Sequence, residues 1–190
     1  PSRGVIREDI DFEEIVKIYD YNSNVDAISF LTDEKYFGGS LQNLKKIREL
    51  TDKPILRKDF IIDKYQIYQS RYYGADAVLL IARLLSSGQM EEYIKLADEY
   101  SMDCLVEVHN EKDIEKLPDN ASIIGINNRN LDTLEVSLEN TKKLSKEVKD
   151  IAEVTVTESG IKDRDDVIEI EEFADAMLIG TAIMQENRIN

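Results

Sequence analysis

Cysteine and histidine are almost missing from this chain, and each shortage closes off a class of chemistry. Among its 190 residues there is one cysteine, Cys104, so no disulfide can form within the chain. Cys104 lies in an apolar run and reads as a small core hydrophobe. The single histidine, His109, has no second histidine or cysteine to complete a metal site, and it reads as a loop residue. Long hydrophobic runs are lacking as well. No stretch of about 18 apolar residues and no charged-then-apolar leader occurs, so the expectation is a protein that neither spans a membrane nor is secreted, located in the cytoplasm. Positive charge is scarce, with 24 Lys and Arg against 39 Asp and Glu and a formal charge of −15 at pH 7. A polyanion would be repelled and no basic stripe breaks the acidity, which argues against nucleic acid as a partner. Linkers and low-complexity tracts are also absent.

What the chain does have is alternation. Asp11 can cap a helix over Phe12–Tyr21, with Phe12, Ile15, Val16 and Tyr19 on one face, and a strand follows at Val25–Thr32. A polar loop holding Gly38 and Gly39 leads to Ser40, the cap of a helix over Leu41–Leu50, and then to a strand at Ile55–Arg57. Asp63 can cap a helix running to about Tyr73, which Gly74 stops, and Ala75–Ile81 is an apolar run of the kind a sheet buried on both faces requires. Helices over Ser86 or Ser87 to Tyr100, Glu111–Leu117, Ser137–Val148 and Arg164–Phe173 then alternate with strands at Asp103–Val108, Ser122–Ile126, Glu153–Thr157 and Ala174–Ile179. Met90, Tyr93, Ile94 and Ala97 form the inner stripe of the first of these helices.

Strand and helix alternating at this spacing predict right-handed βαβ units and a parallel sheet, an α/β protein. No glycine-rich dinucleotide fingerprint and no phosphate loop with its lysine follows any strand, which argues against an open doubly wound sheet. Residues with chemistry to offer are spread over the ends of many strands, as in a (β/α)8 TIM barrel, where the loops after the strands share one face. Seven of the eight strands of such a barrel are visible, in a single domain over residues 1–190 that is expected to be incomplete at both ends. Without the eighth strand, those at Val25 and Ala174 would be apolar edges with unpaired backbone groups. Residues before Pro1, or a partner that caps the edge, are the expected remedy.

The stretch Lys53-Pro54-Ile55-Leu56-Arg57-Lys58-Asp59-Phe60-Ile61 places a lysine where a buried strand spills into a loop. Lys58 either snorkels to solvent or belongs to a site. Two later strands end in the same manner, on Glu107 and on Glu158. One ammonium and two carboxylates at the same end of parallel strands make a candidate site.

Five segments then carry a resemblance, similar in order, spacing and context across nearly the whole chain. They are Ser29–Ser40, Pro54–Ile61, Leu105–His109, Ile124–Leu131 and Thr157–Ile161, together with Leu178-Ile179-Gly180-Thr181-Ala182. The chain resembles indole-3-glycerol phosphate synthase, a (β/α)8 barrel family that closes and decarboxylates 1-(2-carboxyphenylamino)-1-deoxyribulose 5-phosphate without a metal or organic cofactor. The resemblance implies a small sugar-phosphate substrate, with Lys58 as the acid that protonates the ketone. Glu107 stabilises the cation and moves protons in this reading, and its rival role is a purely structural partner of Lys58. Glu158 orients Lys58 or meets the ribulose hydroxyls. Asn127 and Arg129 offer donors to hydroxyls and to the anthranilate carboxylate, and Ser159 joins them.

Gly160, Gly180 and Thr181 are expected at the phosphate, although either glycine could equally be a turn or cap residue. Leu31, Phe37, Phe60, Leu79 and Leu178 are expected to wall the aromatic ring, with ordinary core as the competing reading. The family's first strand carries a glutamate and a lysine shortly before a Lys-x-Ser-Pro-Ser-x-Gly stretch, and this chain opens within it at Pro1-Ser2-Arg3-Gly4. A protein that starts there is expected to lose most of its activity, and the last helix is expected to be missing or barely begun after Met184. A monomer is the favoured state. Two other readings remain, another sugar-phosphate barrel such as a phosphoribosylanthranilate isomerase and a non-catalytic phosphate-binding fragment.

Overall fold

A computed structural model describes residues 11–185 of the chain. The expectations for Pro1–Ile6, and for the stretch Pro1-Ser2-Arg3-Gly4, lie outside the described residues. The chain divides into two compact units. Of the described residues, the first holds 11–79, Lys95–Asp103 and 184–185, and the second holds Leu80–Ile94 and Cys104–Ile183.

In the first unit the order is α1 (Phe12–Tyr21), β1 (Ile28–Leu31), α2 (Glu34–Phe37), α3 (Leu41–Arg48), β2 (Ile55–Lys58), α4 (Tyr65–Tyr72) and the start of β3 (Ala77–Ile81). Asp11 caps α1 as expected, its carboxylate accepting from the N–H groups of Glu13 and Glu14, and Ser40 caps α3 by accepting from Gln42 N–H. β1 runs parallel to β2 in the register Ile28↔Ile55 to Leu31↔Lys58, and β2 parallel to β3 in the register Leu56↔Ala77 and Arg57↔Val78. The core between strands and helices holds Val16, Leu44, Ile47, Ile55, Ile67 and Val78. Each such aliphatic side chain, once buried, contributes about 1.5–3 kcal/mol. Gly74 stops α4 through a left-handed turn at φ 92°. Ala75 N–H donates to Ser70 O and Gly74 N–H to Arg71 O, the paired bonds that satisfy a helix's last carbonyls.

In the second unit a 3-10 turn at Ala82–Leu84 precedes α5 (Ser87–Glu99), whose later residues belong to the first unit. β4 (Asp103–Val108), α6 (Glu111–Ile114), β5 (Ile123–Asn127), α7 (Glu139–Lys149), β6 (Val154–Glu158), α8 (Arg164–Ile170), β7 (Ala176–Leu178) and α9 (Thr181–Gln185) follow. β4 to β7 pair in sequence order and all in parallel. Leu144 and Val148 of α7 are buried, as are Ile124 and Ile126 of β5. Cys104 is buried in β4, as its apolar setting required.

Several boundaries differ from the sequence reading, each for a local reason. Asp63 is not the cap of α4: Lys64 holds that position without a side-chain bond, while Asp63 accepts from Tyr65 N–H. β3 starts at Ala77 because Asp76 turns its carboxylate onto Ile55 N–H at 2.9 Å and returns its own N–H to Ile55 O. Asp175 does the same for β7, accepting from Thr155 N–H at 2.8 Å and donating to Thr155 O. β1 starts at Ile28, where its N–H meets Pro54 O, since Asn22 closes a turn onto Asn24 and Val25. A short helix, α2, capped by Asp33, replaces expected loop, and α9 runs from Thr181 to Gln185, while the stretch beyond it lies outside the described residues. Among the described residues no helix is long and apolar enough to cross a membrane.

The outer face of β2 carries a buried charge. Arg57 donates to Thr32 Oγ1 (3.1 Å), Gln66 O (3.1 Å), Ser70 Oγ (3.1 Å) and Asp59 Oδ2 (2.8 Å), and Thr32 Oγ1 donates to the same Asp59 oxygen at 2.6 Å. Breaking a buried pair by removing one partner costs more than the pair is worth, because the other charge is left without compensation. Asp59→Ala is therefore expected to lower unfolding stability by about 3–5 kcal/mol. Urea denaturation would read this directly, and an unchanged midpoint would show that Asp59 does not hold Arg57.

Candidate active site

Side chains alternate across a strand, so the register decides which of them share a face. In the first unit Leu31 pairs with Lys58, and Leu79 stands two residues beyond Ala77, the partner of Leu56. Leu31, Lys58 and Leu79 therefore share one face while Arg57 takes the other, toward α4. Lys58 is half-buried, Leu31 is exposed and Leu79 is core. Just after β2, the ring of Phe60 lies 6.1 Å from that of Phe37 and 5.9 Å from that of Tyr36. The structure thus brings Phe37 and Phe60 together, and it adds Tyr36, which the sequence reading missed because α2 looked like loop.

In the second unit Glu107 pairs with Gly125, Asn127 with Glu158, and Glu158 with Leu178. Glu107, Gly125, Asn127, Glu158 and Leu178 accordingly lie on one face. Both carboxylates are deeply buried, Glu107 at 3% and Glu158 at 1% exposure. Gly125 explains how they are accommodated: a Cβ there would stand 2.2 Å from Glu158 Oε1 and 3.2 Å from Leu105 Cδ1. The Glu158 carboxylate occupies the space above Gly125, on the strand paired with that of Glu107. Nothing in the local sequence Ile124-Gly125-Ile126 distinguishes this glycine from a weak spot in a strand.

The loop after β5 is held from the outer face. Asn128 Nδ2 donates to Thr157 Oγ1 (2.9 Å) and to Ser159 O (3.0 Å), while its Oδ1 accepts from Thr141 N–H (3.0 Å) and Thr141 Oγ1 (2.9 Å). Asn127 Oδ1 accepts from Arg129 N–H at 2.9 Å, which fixes its amide. Its amide nitrogen faces no acceptor among the described residues. Arg129 is half-buried, forms an antiparallel bridge to Val136 and donates to Leu134 O at 3.3 Å, so part of its guanidinium shapes its own loop. Arg83 ties the same loop at Asp132 (2.8 Å); that hydrogen bond holds the Asp132 carboxyl below its ordinary value and raises the guanidinium of Arg83.

Ser159 and Gly160 both have positive φ, 66° and 98°, and a Cβ at Gly160 would meet Val136 Cγ1 at 2.9 Å. Gly180, after β7, faces open space, and Thr181 begins α9; both are exposed. His109 follows β4 as a loop residue, as expected, and its side chain is only 5% exposed, lying between Glu107 and Asp113.

A sequence model of the family described as indole-3-glycerol phosphate synthase matches residues 1–190. The chain is 48% identical to the indole-3-glycerol phosphate synthase of Acetivibrio thermocellus, over 100% of this chain and 73% of that protein. It is 46% identical to that of Lachnospira eligens, over 97% of this chain and 70% of the relative. Among solved structures it is similar to a ligand complex of KGPDC from Streptococcus mutans, with a TM-score of 0.72 at 15% identity, covering 94% of this chain and 86% of that one. A chain of the tryptophan synthase a2b2 complex from Pyrococcus furiosus aligns with a TM-score of 0.66 at 13% identity, over 92% and 84% of the two chains. The parallel strands and alternating helices are those of an α/β fold, and the family match makes the chain a lyase of a family that works on a small sugar-phosphate molecule. The chain belongs to the indole-3-glycerol phosphate synthase family.

The space above Gly125 yields a direct test. Gly125→Ala is expected to push the Glu158 carboxylate aside and lower kcat by about tenfold to a hundredfold, the scale of a small misplacement of a catalytic group. Steady-state kinetics with circular dichroism as a folding control would check this, and full turnover in a folded variant would remove Glu158 from the site.

Proposed function

We propose that the chain converts 1-(2-carboxyphenylamino)-1-deoxyribulose 5-phosphate to indole-3-glycerol phosphate, carbon dioxide and water, with Lys58, Glu107 and Glu158 as its working groups. The observation that best supports this is the pair of buried carboxylates, Glu107 and Glu158, on one face of the second unit's strands, together with a lysine at the end of β2. Deep burial of two carboxylates is costly unless function or pairing maintains it.

The chemistry follows from what ring closure needs. The aromatic carbon that bears the carboxylate attacks the ketone carbon, and Lys58 gives its proton to the ketone oxygen as the new bond forms. A cationic ring results; loss of carbon dioxide returns the bonding pair to the ring. Dehydration then removes a proton on the ring-nitrogen side and expels the new hydroxyl as water. Glu107 stabilises the cation and takes up the proton. Glu158 supports Lys58 or binds the ribulose hydroxyls. The Asn127 amide nitrogen and Arg129 donate to hydroxyls and to the anthranilate carboxylate. Ser159, Gly160, Gly180 and Thr181 take the phosphate through backbone N–H groups.

Leu31, Phe37, Phe60, Leu79 and Leu178 wall the aromatic ring. The reading requires no metal or organic cofactor. A cytoplasmic location fits this reading, and a monomer is the favoured state.

Lys58→Ala is expected to abolish ring closure while substrate still binds, read as loss of the indole fluorescence that grows during turnover. A rate within tenfold of the parent would remove Lys58 from its role. Gly180→Val fills the open space beside the phosphate site and is expected to raise KM by about tenfold or more, as loss of a charge-assisted contact of ~1.5–3 kcal/mol implies. Unchanged substrate affinity would move the phosphate elsewhere.

A further inference from the structure

His109 is ionisable and buried, and the reaction scheme above leaves it without a role. Its Nε2 lies 3.2 Å from Glu107 Oε1 and its Nδ1 3.7 Å from Asp113 Oδ2, with all three side chains at 4–6% exposure. Neither ring nitrogen completes a hydrogen bond, since distance is met on the Glu107 side and aim is not. Asp113 is itself anchored: its Oδ2 accepts from His109 N–H at 3.0 Å and from Asn110 Nδ2 at 3.4 Å. The His109 carbonyl is held from α7, accepting from Asn140 Nδ2 at 3.2 Å, and the same nitrogen donates to Asn127 O at 2.9 Å. Imidazole, acid and strand end are therefore one braced assembly. Charges that bear on it include Arg83, which acts on Asp113 through space, and the Lys143–Glu111 pair between α7 and α6.

We propose that His109 is a positioning residue for Glu107: braced on Asp113, its imidazole holds the Glu107 carboxylate in the orientation that ring closure uses. An imidazole N–H can donate to a carboxylate in either its neutral or its cationic form, so a small ring rotation completes the bond. A carboxylate held this way keeps one rotamer, which is how supporting groups tune the residues that touch a substrate. The inference rests on the reading of Glu107 as such a residue.

Two substitutions separate positioning from space-filling. His109→Phe keeps the ring volume and loses both donors, whereas His109→Gln keeps a donor amide. The expected order is a fall in kcat of about tenfold to a hundredfold for Phe, partial recovery for Gln, and KM within about twofold throughout, the pattern of a misplaced group rather than a lost binding contact. The reverse order, with Phe near parent and Gln no better, would overturn the proposal.

A second measurement needs no turnover. Because the chain has a single histidine, 15N-histidine labelling gives the Nδ1 and Nε2 ring signal of one imidazole without assignment between residues. In Glu107→Gln that signal should shift relative to the parent, and an unmoved signal overturns the contact even where the His109 variants fail to fold. Glu107→Gln also tests the underlying reading by itself: it should abolish turnover of the carboxyphenylamino ribulose phosphate. An active Glu107→Gln enzyme with a shifted ring signal would overturn the catalytic reading of Glu107 while leaving the contact in place.

Discussion

Arg57 is a guanidinium with almost no water around it, and the way its donors are satisfied fixes the end of β2. Asp59 neutralises it, while Thr32, Gln66 and Ser70 take the remaining donors from β1's end and from α4. Such a cluster is weak evidence for net stability, because desolvating both charges offsets most of their attraction. It does specify geometry, since any shift that separates the partners strands a charge in the core. Alternation along the strand turns that into a functional constraint. With Arg57 pinned toward α4, Lys58 must face the other way, and a slip of one residue would exchange them.

The second unit solves the same problem with neutral groups. Asn128, Thr141 and Thr157 saturate one another between β5, β6 and α7, which holds the loop after β5 and the turn at Ser159 without a buried charge. At the opposite ends of the strands, Asp76 and Asp175 repeat one device, each accepting from the first residues of the preceding strand. Strand ends are therefore pinned on their outer faces, and the inner face is left to groups that would otherwise loosen a sheet. Glu107, Asn127 and Glu158 gather there around Gly125, a strand position whose missing side chain makes room for a carboxylate.

Much of this was legible from residue order. The alternation of apolar runs with amphipathic stretches predicted each strand among the described residues, and Asp11, Ser40 and Gly74 marked helix ends because capping is a local matter of a few residues. The strand-end residues Lys58, Glu107 and Glu158 stood out as charges where apolar runs close, and the surrounding motifs carried the family. Lys58 with Leu31, and Glu107 with Glu158, then fell on shared faces within their own units. Asp63 failed as a cap, and α2 was read as loop, because a four-residue helix has too little periodicity to register in sequence.

Sequence by itself therefore determined the order and kind of the elements, the chemical identity of the groups at the strand ends, and the family. Tertiary structure alone decided that Arg57 would be buried against Asp59 and Thr32, that Gly125 would be the space occupied by Glu158, and that His109 would leave solvent to stand between two acids. The physical reason is separation along the chain. Capping and periodicity are written within one or two turns, whereas Thr32 meets Arg57 across 25 positions and Thr141 meets Thr157 across 16, so their partnership exists only once the strands have taken their register.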